Sequence, residues 1–191
     1  MEANTEHRTP NAECRIGKSA ELNAEPLCYV WLMKTLLCFV LILLSVSAVS
    51  AEPFVVIVRH AEKATNDDKN PDLSPAGMKR ADELASMLKD SGIMAIFTSE
   101  FKRTQETAAA TGKALGIKPT VVAAKDTAGL VAQLHNLKGN ALVVGHGNTI
   151  PDLIKALGID GAVNIQENEY TSLFVVTLGD KPQLLRLHYQ H

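Results

Sequence analysis

Phe54-Val55-Val56-Ile57-Val58-Arg59-His60-Ala61-Glu62 is the stretch on which the reading turns. Five consecutive apolar residues, four of them β-branched, predict a strand buried on both faces, as in a parallel sheet. The run ends abruptly on two basic residues. A polar loop, 65–72, follows. Ser74-Pro75 then opens a helix, with Ser as N-cap and Pro in the first turn. Met78, Ala81, Leu84, Ala85 and Leu88 form its predicted apolar face, and Gly92 closes it.

The pattern repeats down the chain. Strands are predicted at 93–97, 120–122, 141–144 and 173–178, with a further one at 184–187 running back across the turn at Gly179-Asp180-Lys181-Pro182. Helices are predicted at 102–115, 128–137 and 150–157, the first ended by Gly116 and the last by Gly158. Strands alternating with helices imply an α/β fold: a three-layer sandwich with a mostly parallel central sheet and helices on both faces. Residues 52–191 form one domain of this kind, with no internal repeat or linker.

In such a sheet, ligands bind beyond the carboxyl ends of the strands. The first strand leads into Arg59-His60-Ala61-Glu62. The second leads into Thr98-Ser99-Glu100-Phe101-Lys102-Arg103-Thr104, and the fourth into Gly145-His146-Gly147-Asn148-Thr149. Two arginines and two histidines therefore emerge at one edge. Glycines beside His146 let a ligand approach the backbone closely. The helix starting near Asn148 or Thr149 could turn free N–H groups to it. Arg forks match phosphate oxygens bidentately, and a neutral imidazole can attack phosphorus.

Four segments carry a resemblance: Arg-His-Ala-Glu at 59–62, Ser-Pro-Ala-Gly at 74–77, Thr-Ser-Glu-Phe-Lys-Arg-Thr-Gln-Glu-Thr-Ala at 98–108 and Gly-His-Gly-Asn-Thr at 145–149. In this order, at strand ends, they resemble the histidine phosphatase superfamily, the phosphoglycerate-mutase-like fold. The resemblance implies that His60 is the nucleophile and forms a phosphohistidine. It implies that Arg59 and Arg103 clamp the phosphoryl oxygens and that His146 donates to them, with Gly147 and Asn148 in the phosphate-binding set. It implies hydrolysis of the phosphoenzyme by water, with no metal and no cofactor. The usual Gly after Arg-His is replaced by Ala61.

The general acid is the open position. Asp126, after the third strand, is the first choice, and it reads equally well as the N-cap of the helix beginning at Thr127-Ala128. Glu106 is better suited to a salt bridge; Glu62 and Glu169 are outside candidates. The short segment 116–140 leaves little room for a lid, which favours a phosphatase with an open pocket over a mutase. His135, His188 and His191 read as bystanders. Lys63, Asp67, Asp68 and Lys69 read as a solvated loop that could rim the pocket. Tyr170 and Phe174 read as core.

The first fifty residues have another character. Lys34 precedes an apolar stretch, 36–46, and then the small residues Ser47-Ala48-Val49-Ser50-Ala51. That is the order of a secretory signal peptide at 33–51, cut after Ala51, with an uncleaved anchor as the alternative. Residues 1–32 are expected to be an unstructured or over-extended upstream stretch, with Met33 as the true start. The expected location is periplasmic or secreted, with membrane contact only through this segment if it stays uncleaved.

Composition removes other classes. Nineteen Lys and Arg against 21 Asp and Glu give a net charge of −2, so no basic footprint suggests nucleic acid. All three cysteines lie within the first 38 residues, so the domain offers no thiolate nucleophile and no Cys-based metal site. The expected partner is a small-molecule or envelope phosphoester. The rival readings are a phosphate-binding protein without turnover and a phosphohistidine-protein phosphatase if the chain stays inside the cell. A metal hydrolase using His60, Glu62 and His146 is a further rival, which a chelator would expose.

Overall fold

A computed structural model describes residues 27–44, 52–67 and 69–189. The chain divides into two compact units, Met1–Val49 and Ser50–His191. Of the first, the described part is helix α1, Leu27–Leu44, with Trp31, Leu36, Leu37 and Phe39 exposed. Among the described residues no helix is long and apolar enough to cross a membrane. The expected cleavage box, Val49-Ser50-Ala51, lies outside the described residues, as do 1–26, Asp68 and His191.

The second unit is a six-stranded sheet between two helical layers. Its elements are β1 Phe54–Arg59, α2 Pro75–Leu88, β2 Ile93–Thr98, α3 Lys102–Leu115, β3 Thr120–Val121, α4 Thr127–His135, β4 Asn140–Gly145, α5 Ile150–Ala156, β5 Ser172–Thr177 and β6 Leu184–His188. The strand order is β3-β2-β4-β1-β5-β6. β3, β2, β4 and β1 are parallel; β5 pairs antiparallel with β1, and β6 with β5.

Alternation along β1 builds the three layers. Val55 and Ile57 pack with Leu134, Leu153 and Ile154, on the α4 and α5 side. Val56 and Val58 pack with Leu84, Leu88 and Ala108, on the α2 and α3 side. A strand with apolar side chains on both faces needs such cover on both, because its side chains alternate. β1 and β4 are central and parallel, and the Arg59–Gly145 register brings their ends together. The backbone N–H of His60 extends this ladder to Gly145 O at 2.9 Å.

α2 starts as its sequence indicates: Ser74 Oγ accepts from Gly77 N at 3.1 Å. Gly77 packs so tightly that an added Cβ would lie 2.3 Å from Glu62 O. Gly116 ends α3 at φ 68°, in the left-handed region that glycine enters freely. Met78 departs from expectation. It is exposed, and the buried face of α2 is Gly77, Arg80, Ala81, Leu84, Ala85 and Leu88. The physical reason is a partner for Arg80. Its Nε and one terminal nitrogen bond both oxygens of Glu62, the shortest contact being 2.6 Å, so the guanidinium can replace an apolar residue in that face.

Candidate active site

The ends of β1, β2 and β4 surround a cavity of about 600 Å³. Arg59, His60, Arg103, His146, Gly147 and Asn148 line it, six of the seven residues expected at the site. Its wall also holds Glu100, Phe101, Lys125, Ile165 and Glu167. Among the described residues no group of three or more His, Cys, Asp or Glu side chains is placed to hold a metal ion.

His60 is 5% exposed, and its Nδ1 lies 2.8 Å from Ala61 O. A carbonyl only accepts, so in the neutral ring Nδ1 carries the proton and Nε2 holds the lone pair. Burial first, with the Arg59, His146 and Arg103 charges adding to it, lowers the His60 pKa to about 4. The imidazole is therefore neutral at pH 7. Ala61, in the position where the family usually has glycine, is fully buried, and its N–H donates to Thr107 Oγ1 at 2.9 Å. Thr107 in turn donates to Arg103 O at 2.7 Å, tying the loop after β1 to α3.

His146 is 7% exposed and faces His60 edge-on, with ring centroids 5.4 Å apart. Its Nε2 lies 2.9 Å from Ser99 Oγ. Burial, followed by the Arg103 charge, lowers its pKa to about 4 as well. An imidazolium resting at this position before ligand arrives is thus disfavoured. The helix behind it also departs from expectation. Thr149 N and Ile150 N both donate to His146 O at 3.0 Å, so the start of α5 does not turn these N–H groups to the cavity.

The two arginines are held differently. Arg103, near the start of α3, lies over the Phe101 ring at 4.4 Å. Burial and the nearby Arg59 lower its pKa. Arg59 spends one terminal nitrogen on the backbone of 166–169, at 2.8 Å from Gln166 O, 2.5 Å from Glu167 O and 3.3 Å from Glu169 O. Its guanidinium stacks on Tyr170 at 4.5 Å. Its Nε is buried without a hydrogen-bond partner. Tyr170 is thus a half-buried support beneath Arg59 rather than core, whereas Phe174 is fully buried.

Asp126 does not reach this cavity. Its Oδ1 accepts from Gly129 N at 2.9 Å, the N-cap of α4, and it borders a separate pocket of about 40 Å³. The other expected acids are also committed. Glu62 holds Arg80, Glu106 accepts from Leu73 N at 2.7 Å, and Glu169 accepts from Arg186, Ser172 and Gln166 N. The carboxylates on the wall are instead Glu100 and Glu167. Glu100 accepts from Ala124 N at 2.8 Å. That bond and its own backbone N–H hold its pKa below the usual carboxylate range, so it is ionised at neutral pH. It could have been noticed in sequence, because it stands two residues after β2 and two before α3. Lys63, Asp67 and Lys69 do not line the cavity, and His135 and His188 are exposed.

The comparisons agree with this picture. The histidine phosphatase superfamily (branch 1) model matches residues 55–130, from β1 into α4. No curated protein matches in sequence. Among solved structures, the fold is shared with the protein histidine phosphatase SixA in complex with tungstate, at TM-score 0.58 and 19% identity, covering 71% of this chain and 96% of that one. It is shared with a candidate alpha-ribazole-5'-P phosphatase from Escherichia coli, at TM-score 0.60 and 15% identity, covering 73% and 97%. It is shared too with a mycobacterial glucosyl-3-phosphoglycerate phosphatase, at 0.52 and 17%, covering 66% and 90%. These identities speak for the fold alone. The sequence match, with the strand-end residues it contains, makes residues 55–130 similar to the histidine phosphatase superfamily.

Proposed function

We propose that the chain hydrolyses phosphomonoesters through a phosphohistidine formed on His60. The observation that carries this is the His60 hydrogen bond: Nδ1 gives its proton to Ala61 O, so a neutral Nε2 is available beside the Arg59, Arg103 and His146 donors. The Nε2 lone pair attacks phosphorus while the ester P–O bond breaks. Water then attacks the P–N bond, releasing phosphate and restoring the imidazole. The arginines and His146 bind the three peripheral oxygens, whose charge they stabilise most in the transition state.

The proton economy favours particular substrates. Glu100 is a carboxylate on the cavity wall and is held ionised, which suits deprotonating water in the second step better than protonating a leaving group in the first. Leaving groups that depart without a carboxylic acid, such as phenolates, therefore fit best. The similarity to phosphatases of small phosphoesters and of a protein phosphohistidine supports phosphoryl hydrolysis without selecting among them.

Rapid quench with a radiolabelled aryl phosphate is the test. An acid-labile label on His60 is expected, and turnover is expected to survive a chelator. Label on no histidine would sink the reading. We also propose export, supported by the Lys34, apolar and small-residue order of 33–51; cell fractionation that finds the chain in the cytosol with residues 33–51 intact would refute it.

A further inference from the structure

His146 lines the cavity, and one of its ring nitrogens is taken up by a buried hydroxyl chain. Nε2 lies 2.9 Å from Ser99 Oγ, and Ser99 Oγ lies 2.9 Å from Thr104 Oγ1. All three residues are buried, at 7%, 5% and 0% exposure. Each group has one hydrogen to place in this chain, which can run in two directions.

In one direction Thr104 donates to Phe101 O, Ser99 donates to Thr104, and His146 Nε2–H donates to Ser99. The neutral ring then turns a bare lone pair to the cavity, where it would repel a phosphoryl oxygen. In the other, Thr104 donates to Ser99, Ser99 donates to Nε2, and the ring proton sits on Nδ1, facing the ligand. Phe101 O does not require the Thr104 hydroxyl, since Thr104 N and Gln105 N already donate to it at 3.1 and 3.3 Å. Thr104 Oγ1 also lies 3.2 Å from Ser99 O, which Gln105 Nε2 reaches at 3.4 Å, so the second direction leaves neither carbonyl stranded.

We propose that Ser99 is a positioning residue that, backed by Thr104, donates to Nε2 and holds His146 in the Nδ1–H tautomer, so that a neutral imidazole donates to the phosphoryl group. This rests on the phosphoryl-transfer reading of the cavity. It accounts for how His146 can donate among its charged neighbours. Arg59 from β1 and Arg103 from α3 oppose an imidazolium there, and Glu100 from the intervening loop only partly offsets them. A hydroxyl chain supplies direction without adding charge.

The test is long-range ¹H–¹⁵N NMR of the histidine rings, on the full chain at pH 7 saturated with orthovanadate, alongside steady-state kinetics on an aryl phosphate. In the wild type, His146 is expected to show protonated Nδ1 and bare Nε2. Ser99→Ala frees the ring to take the other tautomer. The donor as a whole is worth about 10²–10³ in rate. Unlocking rather than removing it is expected to lower kcat about 10–100-fold, with KM changed far less. Ser99→Thr, which keeps the hydroxyl, is expected to restore both tautomer and rate. A wild-type His146 that is Nε2-protonated or doubly protonated overturns the proposal, even if no variant folds. So does Ser99→Ala with unchanged tautomer and kcat. Vanadate that leaves the His60 signals unmoved overturns the phosphoryl reading as well; vanadate that shifts His60 while His146 holds the other tautomer overturns only this one.

Discussion

Arg80 on α2 is buried and the pair Arg59 and Arg103 at the sheet edge is half-buried, and their surroundings have opposite characters. Arg80 is 5% exposed and bonds both oxygens of Glu62, which raises its pKa. Arg59 and Arg103 enter none of the ion pairs among the described residues. Each lies over an aromatic ring, Arg103 is lowered in pKa, and the two buried imidazoles between them are pushed neutral. One cluster is balanced inside the protein. The other holds two arginines outside any ion pair, only partly offset by Glu100, and so favours an anionic ligand. Burying charge without a partner opposes folding, and a site that holds it this way is poised for an anion.

The sharpest separation of the two clusters comes from His60→Ala. Turnover is expected to fall by at least about 10⁴-fold, as removal of a nucleophile does in other covalent enzymes. Vanadate affinity is expected to stay within a few-fold, because Arg59, Arg103 and His146 remain. Stopped assays for phosphate release, run beside a vanadate titration, check both.

Arg80→Ala should do the reverse. It leaves the Glu62 carboxylate without its bidentate partner, a defect that costs about 3–5 kcal/mol in a buried pair. Denaturant unfolding should show that loss, while the vanadate Kd of the folded protein stays unchanged. A stable Arg80→Ala variant with weakened vanadate binding would mean that the balanced cluster belongs to the site after all.

Arg103→Ala is expected to lower kcat/KM about 10²–10³-fold, in line with loss of one preorganised donor. It should weaken vanadate binding too. Stability should not fall by more than about 0.5 kcal/mol, since the substitution removes a charge that Arg59 opposes and that no ion pair compensates. A large stability loss would erase the distinction between the clusters.

How much of this was legible in the sequence follows from the range of each interaction. The strands were plain because their β-branched runs are local, and the sheet edge followed from strand order and short connections. His60, Arg59, Arg103 and His146 were legible because each directly follows a strand or opens the next helix. Arg80 was not. The partner that buries it is Glu62, which no helix spacing connects to it. Asp126 was misplaced for a similar reason: it follows β3 at the correct edge, but a residue before a helix answers first to the nearest free N–H, here Gly129. Tyr170 read as core, yet Arg59, far away in the chain, brings it under the site. Ser99 stood inside a recognised motif, yet its bond to His146 spans 47 residues.

The remaining expected effect is a pH dependence of stability that the two imidazoles of the unbalanced cluster bring between pH 6.5 and 4. His60 and His146 have native pKa values of about 4 against an ordinary 6.5. Above pH 6.5 both rings are neutral in the folded and the unfolded chain, so neither term changes. Between 6.5 and 4 the unfolded chain binds protons that the native state refuses, and stability must fall as pH falls. Below 4 both states are protonated and this contribution levels off. At 1.36 kcal/mol per unit the full shift is worth about 3 kcal/mol for each ring. Carboxylates with lowered pKa values, Glu100 and Glu169 among them, act lower still, as pH drops through their own range. Thermal unfolding from pH 7.5 to 4.5 should therefore show a steady fall in Tm for the wild type. The slope should be about half as steep in His60→Ala and nearly flat in the His60→Ala, His146→Ala double variant. Equal slopes in all three proteins would show that the histidines are not held neutral by the arginine-rich edge, and with that the contrast between the two clusters would lose its electrostatic basis.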